Sequence, residues 1–474
     1  MAVVTVMPFR SERANRLGHV PIVNNQRVQD AFSRWAIQHT TAKSRDELAD
    51  LAIPLEDLSE EQEQGSAKYA LTVDGSDTEV EATREYPTIK VGYVRIAAGL
   101  VDIEQLRESG KSEFVDPRKL RQAHQHAAFD GAFPGAGLAA AGKTGRDTWR
   151  EEVNRFLFES RIDDTSRLTL ADMLLEIHRE SLESEEWVTL GTCPNCGAKS
   201  REASLLVGLN PSKCSSCQSP LFLADLLRTH EEFSEEGSNI GPLTRLMNVS
   251  ERLATAGYIK ILSEDRHGLS IINQALFITD GPLALFGPVA PLKRQFQAFI
   301  SGIQTQYQGL GMHLPLLVGI EKSGAMVEHA EQISQSLPPR TVLPLSTEYI
   351  NRVTGRPFHN NYGVDEFYGR RFIYKTTADD TLVITVPPID GRAPYGHAGL
   401  ESPSHYPNLK RVCETLDSIR TRLYDNAVIP LALAHSAASL PLGVGESVLR
   451  YFAQKGLGIQ ESALTRNHRG WRQY

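Results

Sequence analysis

The chain has 474 residues, with 41% hydrophobic and 23% charged positions, an ordinary globular composition long enough for two or three domains or one large domain with insertions. Its formal net charge of −8, from 50 basic and 58 acidic residues, argues against a surface coated for nucleic acid but leaves room for a local basic groove. The N-terminal "MAVVTVMPFRSERANR" places its basic residues after its apolar run, the wrong order for a secretory signal. No apolar stretch approaches the ~20 residues that cross a bilayer, so a cytoplasmic protein is expected.

In chain order, residues 26–65 read as largely helical, with Val28, Phe32, Trp35 and Ala36 on one stripe. Two β-prone runs follow, "KYALTVDGSDTEV" and "TIKVGYVRIAAGLVDI", as a hairpin or meander opening a sheet. The loop "FPGAGLAAAGKTG" meets the spacing of a phosphate-binding loop from Gly137 to Lys143 and Thr144. No apolar strand is expected before it and a highly charged helix is expected after it, so an ordinary loop is the better reading. Polar helical sequence then runs from about Arg146 to His178.

Four of the five cysteines form "CPNC" (193–196) and "CSSC" (214–217). Two such pairs at this separation can offer four thiolates to one Zn²⁺, and turn-prone residues fill the knuckles. Local disulfides or a redox pair are the alternatives, disfavoured by the expected compartment and by the absence of a thioredoxin-like context. Cys193, Cys196, Cys214 and Cys217 therefore predict a structural zinc ribbon over residues 188–222. With every ligand supplied by protein, such a zinc has no open position for catalysis. Cys413 is left over as an ordinary semi-buried residue.

Beyond the ribbon, "LADLLRTHEEF" and "PLTRLMNVSERLATAGYIKILSED" read as amphipathic helices, and "QALFITD" as a strand. A helix at "PLKRQFQAFISGIQTQYQG", a strand at "HLPLLVGIEKSG", a helix at "AMVEHAEQISQSL" and strands at "RRFIYKT" and "TLVITVPP" follow, then a helical section from 407 to 456. Strands alternating with helices predict an α/β core. The expected division is an N-terminal helical region (1–64), a first core part with a helical extension (65–187), the ribbon (188–222), and the remaining core with C-terminal helices (223–474).

Asp280-Gly281 in "FITDGPLALFG" can be a hairpin tip, since Asp-Gly between β-prone runs suits a type I′ turn. The same pair recurs as Asp74-Gly75 in "LTVDGS". Two strands that each deliver a carboxylate at a C-terminal end can build a metal site, because neighbouring strands lie about 4.8 Å apart. Oxygen ligands suit Mg²⁺ or Mn²⁺, and a pair of such ions serves phosphodiester cleavage.

Together "LTVDGS", "ITDGPLALFG", "LLVGIEKSG", "FYGRRFIYK" and "LALAHSAA", in this order from about residue 65 to 440, resemble the NurA nuclease family. The likeness is strongest to its bacterial branch, which carries a four-cysteine insert followed by a "DLLRTHEEF"-type helix. The resemblance implies an RNase H-like (Piwi-related) mixed-sheet core, Mn²⁺- or Mg²⁺-dependent DNA cleavage, a homodimer, and a HerA-type hexameric ATPase partner in end processing or antiviral defence. It assigns catalytic and metal-holding roles to Asp74, Asp280 and Glu251, with Glu264 as the other candidate for the third carboxylate, and a further catalytic role to His435. Family members often carry a tyrosine eight residues before that histidine; Ala427 stands there, and Tyr424 is the nearest substitute. Read without the resemblance, His435 is a core histidine and Glu251 a solvated helix residue. Lys322, Arg370, Arg371 and Lys375 are expected to position the DNA backbone. A zinc-ribbon adaptor that loads or regulates an ATPase, its own site degenerate, is the alternative function.

Overall fold

The computed structural model describes residues 25–35, 45–58, 65–83, 88–110, 124–163, 167–179, 186–264, 266–355, 362–420, 428–439 and 444–459. The chain divides into two compact units, Met1–Lys43 and Ser44–Tyr474. In the first, helix α1 (Gln26–Arg34) starts at Asn25, whose side chain accepts a hydrogen bond from the Arg27 N–H. Phe32 and Trp35 meet edge to face at its end.

The second unit is built on a nine-stranded mixed sheet among the described residues. Its elements begin with α2 (Arg45–Leu51), β1 (Ile53–Pro54), β2 (Tyr69–Glu81), β3 (Lys90–Asp102), α3 (Ile103–Gly110) and β4 (His124–Pro134). Helices α4 (Gly145–Glu159) and α5 (Leu170–Arg179) follow, then four short strands, β5 (Trp187–Thr189), β6 (Ser204–Leu206), β7 (Ser212–Lys213) and β8 (Pro220–Leu221). The remainder is α6 (Ile240–Glu264), α7 (Arg266–Ile272), β9 (Ala275–Asp280), α8 (Lys293–Gly309), β10 (Leu316–Glu321), α9 (Ala325–Ile333), β11 (Thr341–Pro344), α10 (Thr347–Thr354), β12 (Arg370–Lys375), β13 (Thr381–Val386), α11 (Leu409–Ile419), α12 (Ile429–Ala438) and α13 (Val444–Gly456). The sheet order is β1-β11-β12-β13-β10-β9-β2-β3-β4.

Only the three central strands run parallel to one another. β2 pairs in parallel with β9, and β9 in parallel with β10, while every other neighbour is antiparallel. The carboxyl ends of β9 and β10 therefore open at the same place, beside the middle of β2, and ligands gather at such strand ends in open α/β sheets. Strand alternation divides the sheet into two buried faces. Ala275 and Phe277 pack with Val73, Ile96 and residues of α4, α5, α6 and α8. Leu276 and Ile278 pack on the other side with Ala70, Val318, Ile320 and residues of α11.

Several local expectations change. The stretch expected to be helical through residue 65 contributes β1, paired to β11 at the sheet edge. A strand does precede the "GAGLAAAGKT" loop, since β4 pairs along β3. The phosphate-loop reading still fails, for a visible reason. The first amides of α4, Gly145 N and Arg146 N, donate to the Glu235 carboxylate at 3.2 and 3.0 Å, where a phosphate would sit. Thr144 is instead the helix cap. Residues 223–231, expected as a helix, form two 3₁₀ turns. No helix among the described residues is long and apolar enough to cross a membrane.

Candidate active site

Asp74 and Asp280 reach the same spot by different routes. β9 ends at Asp280, and the next residue, Gly281, turns with φ of 74°. The chain then crosses over β10 rather than forming a hairpin with β9: Gly281 N donates to Ile320 O, and Leu283 N to Thr385 Oγ1, both at 2.8 Å. Gly319 permits that crossing, because a Cβ there would lie 2.5 Å from Gly281 O. The expectation of a matching strand end at Asp74 is corrected. β2 continues to Glu81, held by β3 along its whole length. Its parallel pairing with β9 stops at Val73–Thr279, so Asp74 lies where its other neighbour departs.

Register then sets which side chains meet. Asp280 is opposite Ile320 on β10, which puts Lys322, two residues on, on the same face. The Lys322 Nζ lies 3.0 Å from Asp280 Oδ2 and 3.8 Å from Asp74 Oδ2, so one cation spans both carboxylates. On this face α12 also delivers His435, whose Nδ1 is 3.1 Å from Asp74 Oδ2. Ser76, one face position beyond Asp74, donates to Ala438 O at 2.6 Å and fixes the end of that helix. Asp74 is 1% exposed, whereas the His435 side chain is 57% exposed.

Glu251 arrives from the opposite face on α6. It is 1% exposed and lies over Gly75: a Cβ built there would be 2.8 Å from Glu251 Oε1 and 2.6 Å from Met247 Cγ. Gly75 is thus a close-approach glycine inside a strand. The alternative carboxylate, Glu264, has a side chain 64% exposed at the end of α6, paired to Lys260. Gly75→Ala is expected to push Glu251 away from the two aspartates while costing about 1–3 kcal/mol of stability by overpacking. Thermal melting and a 251-side-chain readout from the variant's crystal structure check it; an unmoved Glu251 contradicts it.

Burial first, and then neighbouring carboxylates, hold Glu251 and Asp280 above their usual range. Desolvation raises Glu251 well up, against the Arg252 guanidinium, with Asp74 and Asp280 adding to the rise. Asp280 rises through burial and the Asp74 charge, opposed by Lys322. The hydrogen bond to Asp74 pushes the His435 imidazole up. Glu251 and Asp280, buried beside further carboxylate until they resist ionisation, mark a place that binds positive charge.

Arg252 has no signal in the sequence beyond adjacency to Glu251. Its guanidinium donates to Glu251, to Asp280 O at 3.0 Å and to Pro282 O at 3.2 Å, tying α6 to the turn after β9. Tyr368 lines a small pocket together with Arg252 and is pushed up to about 12, chiefly by burial.

The other basic residues expected to meet DNA, Arg370, Arg371 and Lys375, stand elsewhere, on the interior strand β12. All six residues of β12 are buried. Arg370 is 0% exposed; it donates to Pro394 O and Leu345 O and its guanidinium lies over the Tyr395 ring. Arg371 is paired side-on with Glu321 and reaches Tyr362. Lys375 is 0% exposed and bonds Ser334 Oγ and Asp379 O. An arginine whose guanidinium is buried against interior acceptors organises the fold around it. Tyr424, Ala427 and the basic tail from residue 465 lie outside the described residues.

The four cysteines of the insert converge. All five cysteines of the chain are free thiols. Cys193 and Cys217 are 3.8 Å apart at sulfur, as are Cys196 and Cys214, and all four sulfurs lie within 4.8 Å of one another. That is too long for a disulfide. A tetrahedral zinc with bonds of about 2.3 Å separates its thiolates by about 3.8 Å, so the group fits Zn²⁺. Each knuckle is closed alike, by Gly197 N to Cys193 O at 3.0 Å and Gln218 N to Cys214 O at 2.9 Å. At the ribbon's base, Arg150 of α4 clamps Asp225 through two 2.8 Å bonds and donates to Pro220 O. Among the described residues this is the one group of three or more His, Cys, Asp and Glu side chains clustered closely enough for an ion, the Asp74–Asp280 pair being spanned by Lys322 instead.

No family model matches the chain, and no curated protein matches it. Among solved structures, the NurA nuclease from Sulfolobus solfataricus is similar over 97% of this chain and 99% of its own, at 10% identity and a TM-score of 0.33. A second NurA structure is similar over 94% of this chain and 97% of its own, at 8% identity and a TM-score of 0.28.

Proposed function

We propose that this protein is a divalent-metal-dependent deoxyribonuclease of the NurA type, with an RNase H-like core, hydrolysing phosphodiester bonds in DNA. One observation supports the reading: Asp74 and Asp280 share one cation where β9 ends beside β2, with His435 against Asp74 and the buried Glu251 close enough to feel the charge of both aspartates. The donor set is chiefly carboxylate oxygen, which suits Mn²⁺ or Mg²⁺, and the pair of aspartates already embraces one positive charge. Asp74, Asp280 and Glu251 would hold the ion. When bound, it supplies Lewis-acid polarisation of the phosphodiester and acidifies water.

The chain's own groups do the rest. Asp74 accepts at the Nδ1 side of His435 and so orients the ring, leaving Nε2 toward the open face to hold or move a proton. Arg252 fixes the backbone on which Asp280 is carried. Lys322, released from the carboxylates, can meet a backbone phosphate without reading sequence. Zn²⁺ in the cysteine insert is structural. The same reading includes a homodimer, a HerA-type hexameric ATPase that delivers DNA, and a role in DNA end processing or antiviral defence.

The test is degradation of linear DNA with Mn²⁺, comparing the wild-type chain with Asp280→Asn. Metal-dependent cleavage lost in the variant supports the reading. Undiminished cleavage in the variant overturns it, and no cleavage by the wild type, alone or with the ATPase, favours a ribbon adaptor.

A further inference from the structure

Lys322 holds a position that a phosphate-binding lysine has no need to hold. Its ammonium is not directed to solvent; it sits 3.0 Å from Asp280 Oδ2 and 3.8 Å from Asp74 Oδ2, the oxygens offered to a divalent ion. The strand end that carries it is fixed from below. Glu321, the last residue of β10, is locked by the buried Arg371, which is braced in turn by Tyr362. The backbone at residue 321 is therefore rigid, while the lysine stem beyond it is flexible and its side chain 28% exposed.

We infer that Lys322 is a tethered counter-cation that a divalent ion displaces on binding, an exchange that rests on the metal-binding reading of the same carboxylates. Without an ion, Asp74 and Asp280 would face each other across adjacent strands with only burial around them, and like charges so placed repel. The ammonium offsets this and holds the end of β9 against β2 at Asp74. A divalent ion coordinates the same oxygens at about 2.0–2.2 Å, a range in which a second cation at hydrogen-bond distance is repelled. Ion and ammonium are therefore alternative occupants. The stem lets Lys322 swing outward when it leaves, which frees its charge for the open face of the site. Metal binding in this protein is thus an exchange of one cation for another. The metal affinity is lower than the carboxylates alone would give.

Calorimetric titration of MnCl₂ into the zinc-loaded full chain, without DNA, tests this. Lys322→Met keeps the length of the side chain and removes the competitor; Lys322→Arg keeps the charge. Lys322→Met is expected to bind Mn²⁺ about tenfold more tightly, equivalent to about 1.4 kcal/mol. Its metal-free form should melt at a lower temperature and gain more from Mn²⁺ than the wild type, while Lys322→Arg stays near the wild type. Equal or weaker binding by Lys322→Met, with the wild type still binding, overturns the exchange and leaves the metal site standing. Absence of binding in both proteins overturns the exchange and the metal site together.

Discussion

Asp280→Asn is expected to lower Mn²⁺-supported cleavage of linear DNA by about a thousandfold or more, without lowering the melting temperature. The first half follows from removing one of two carboxylates that share a cation, since losing about 4 kcal/mol of transition-state stabilisation costs about three decades in rate. The second half follows from the electrostatics. Burial and the Asp74 charge hold the Asp280 carboxyl above its usual range, so its ionised form disfavours the fold and a neutral amide of the same shape does not. The sign is consistent: a group with a raised folded-state pKa, and acidic, contributes no stability by being ionised. Loss of activity with a melting temperature equal to or above the wild type marks a site held at the expense of stability. A melting temperature lowered by many degrees would make Asp280 a structural residue instead. Cleavage rates and thermal melts on the same preparation decide between these.

Cys193→Ser combined with Cys214→Ser is expected to abolish zinc retention and unfold the insert while the sheet survives. Removing two of four thiolates forfeits a binding free energy of about 10–16 kcal/mol, which in small zinc domains is folding free energy. The strand pairings of the insert are short, three residues in β5–β6 and two in β7–β8. Both mutated sulfurs are buried, at 2% and 0% exposure, and pack into the main core cluster, so the loss will be felt there. The Arg150–Asp225 clamp lies outside the knuckles and should keep α4 and the ribbon's base in register. Zinc content by mass spectrometry and limited proteolysis check the outcome. Stoichiometric zinc in the double variant contradicts the assignment, and cleavage confined to residues 190–222 supports it.

What could be read from the sequence depended on how local its physical cause was. The cysteine spacing fixes knuckle geometry within four residues, and the sulfurs meet as expected. The strands carrying Asp74 and Asp280 were visible as β-prone runs, and the two aspartates do meet around one cation. Whether Asp74 ends its strand was not legible. That depends on β9 leaving while β3 stays, a matter of sheet order. The burial of the basic run at 370–375 was not legible, because charge in sequence suggests a wet surface. Here β12 is an interior strand, and the acceptors that make its burial possible come from Glu321, Leu345 and Pro394, all distant in sequence. β1 and β11 are too short, at two and four residues, to carry a periodic signal, and exist by pairing with the sheet. Glu251 looked like a solvated helix residue because nothing local reveals that Gly75 leaves room for it. Arg252 stayed silent for the same reason: its acceptors are the Asp280 and Pro282 carbonyls.

The most direct measurement is anomalous diffraction at the manganese edge from crystals of the zinc-loaded chain soaked in MnCl₂. A peak against the Asp74 and Asp280 carboxylates, with Glu251 in reach and Lys322 swung out of the pair, is the predicted result. Soaked crystals without manganese at these carboxylates, Lys322 still spanning them, would contradict the account.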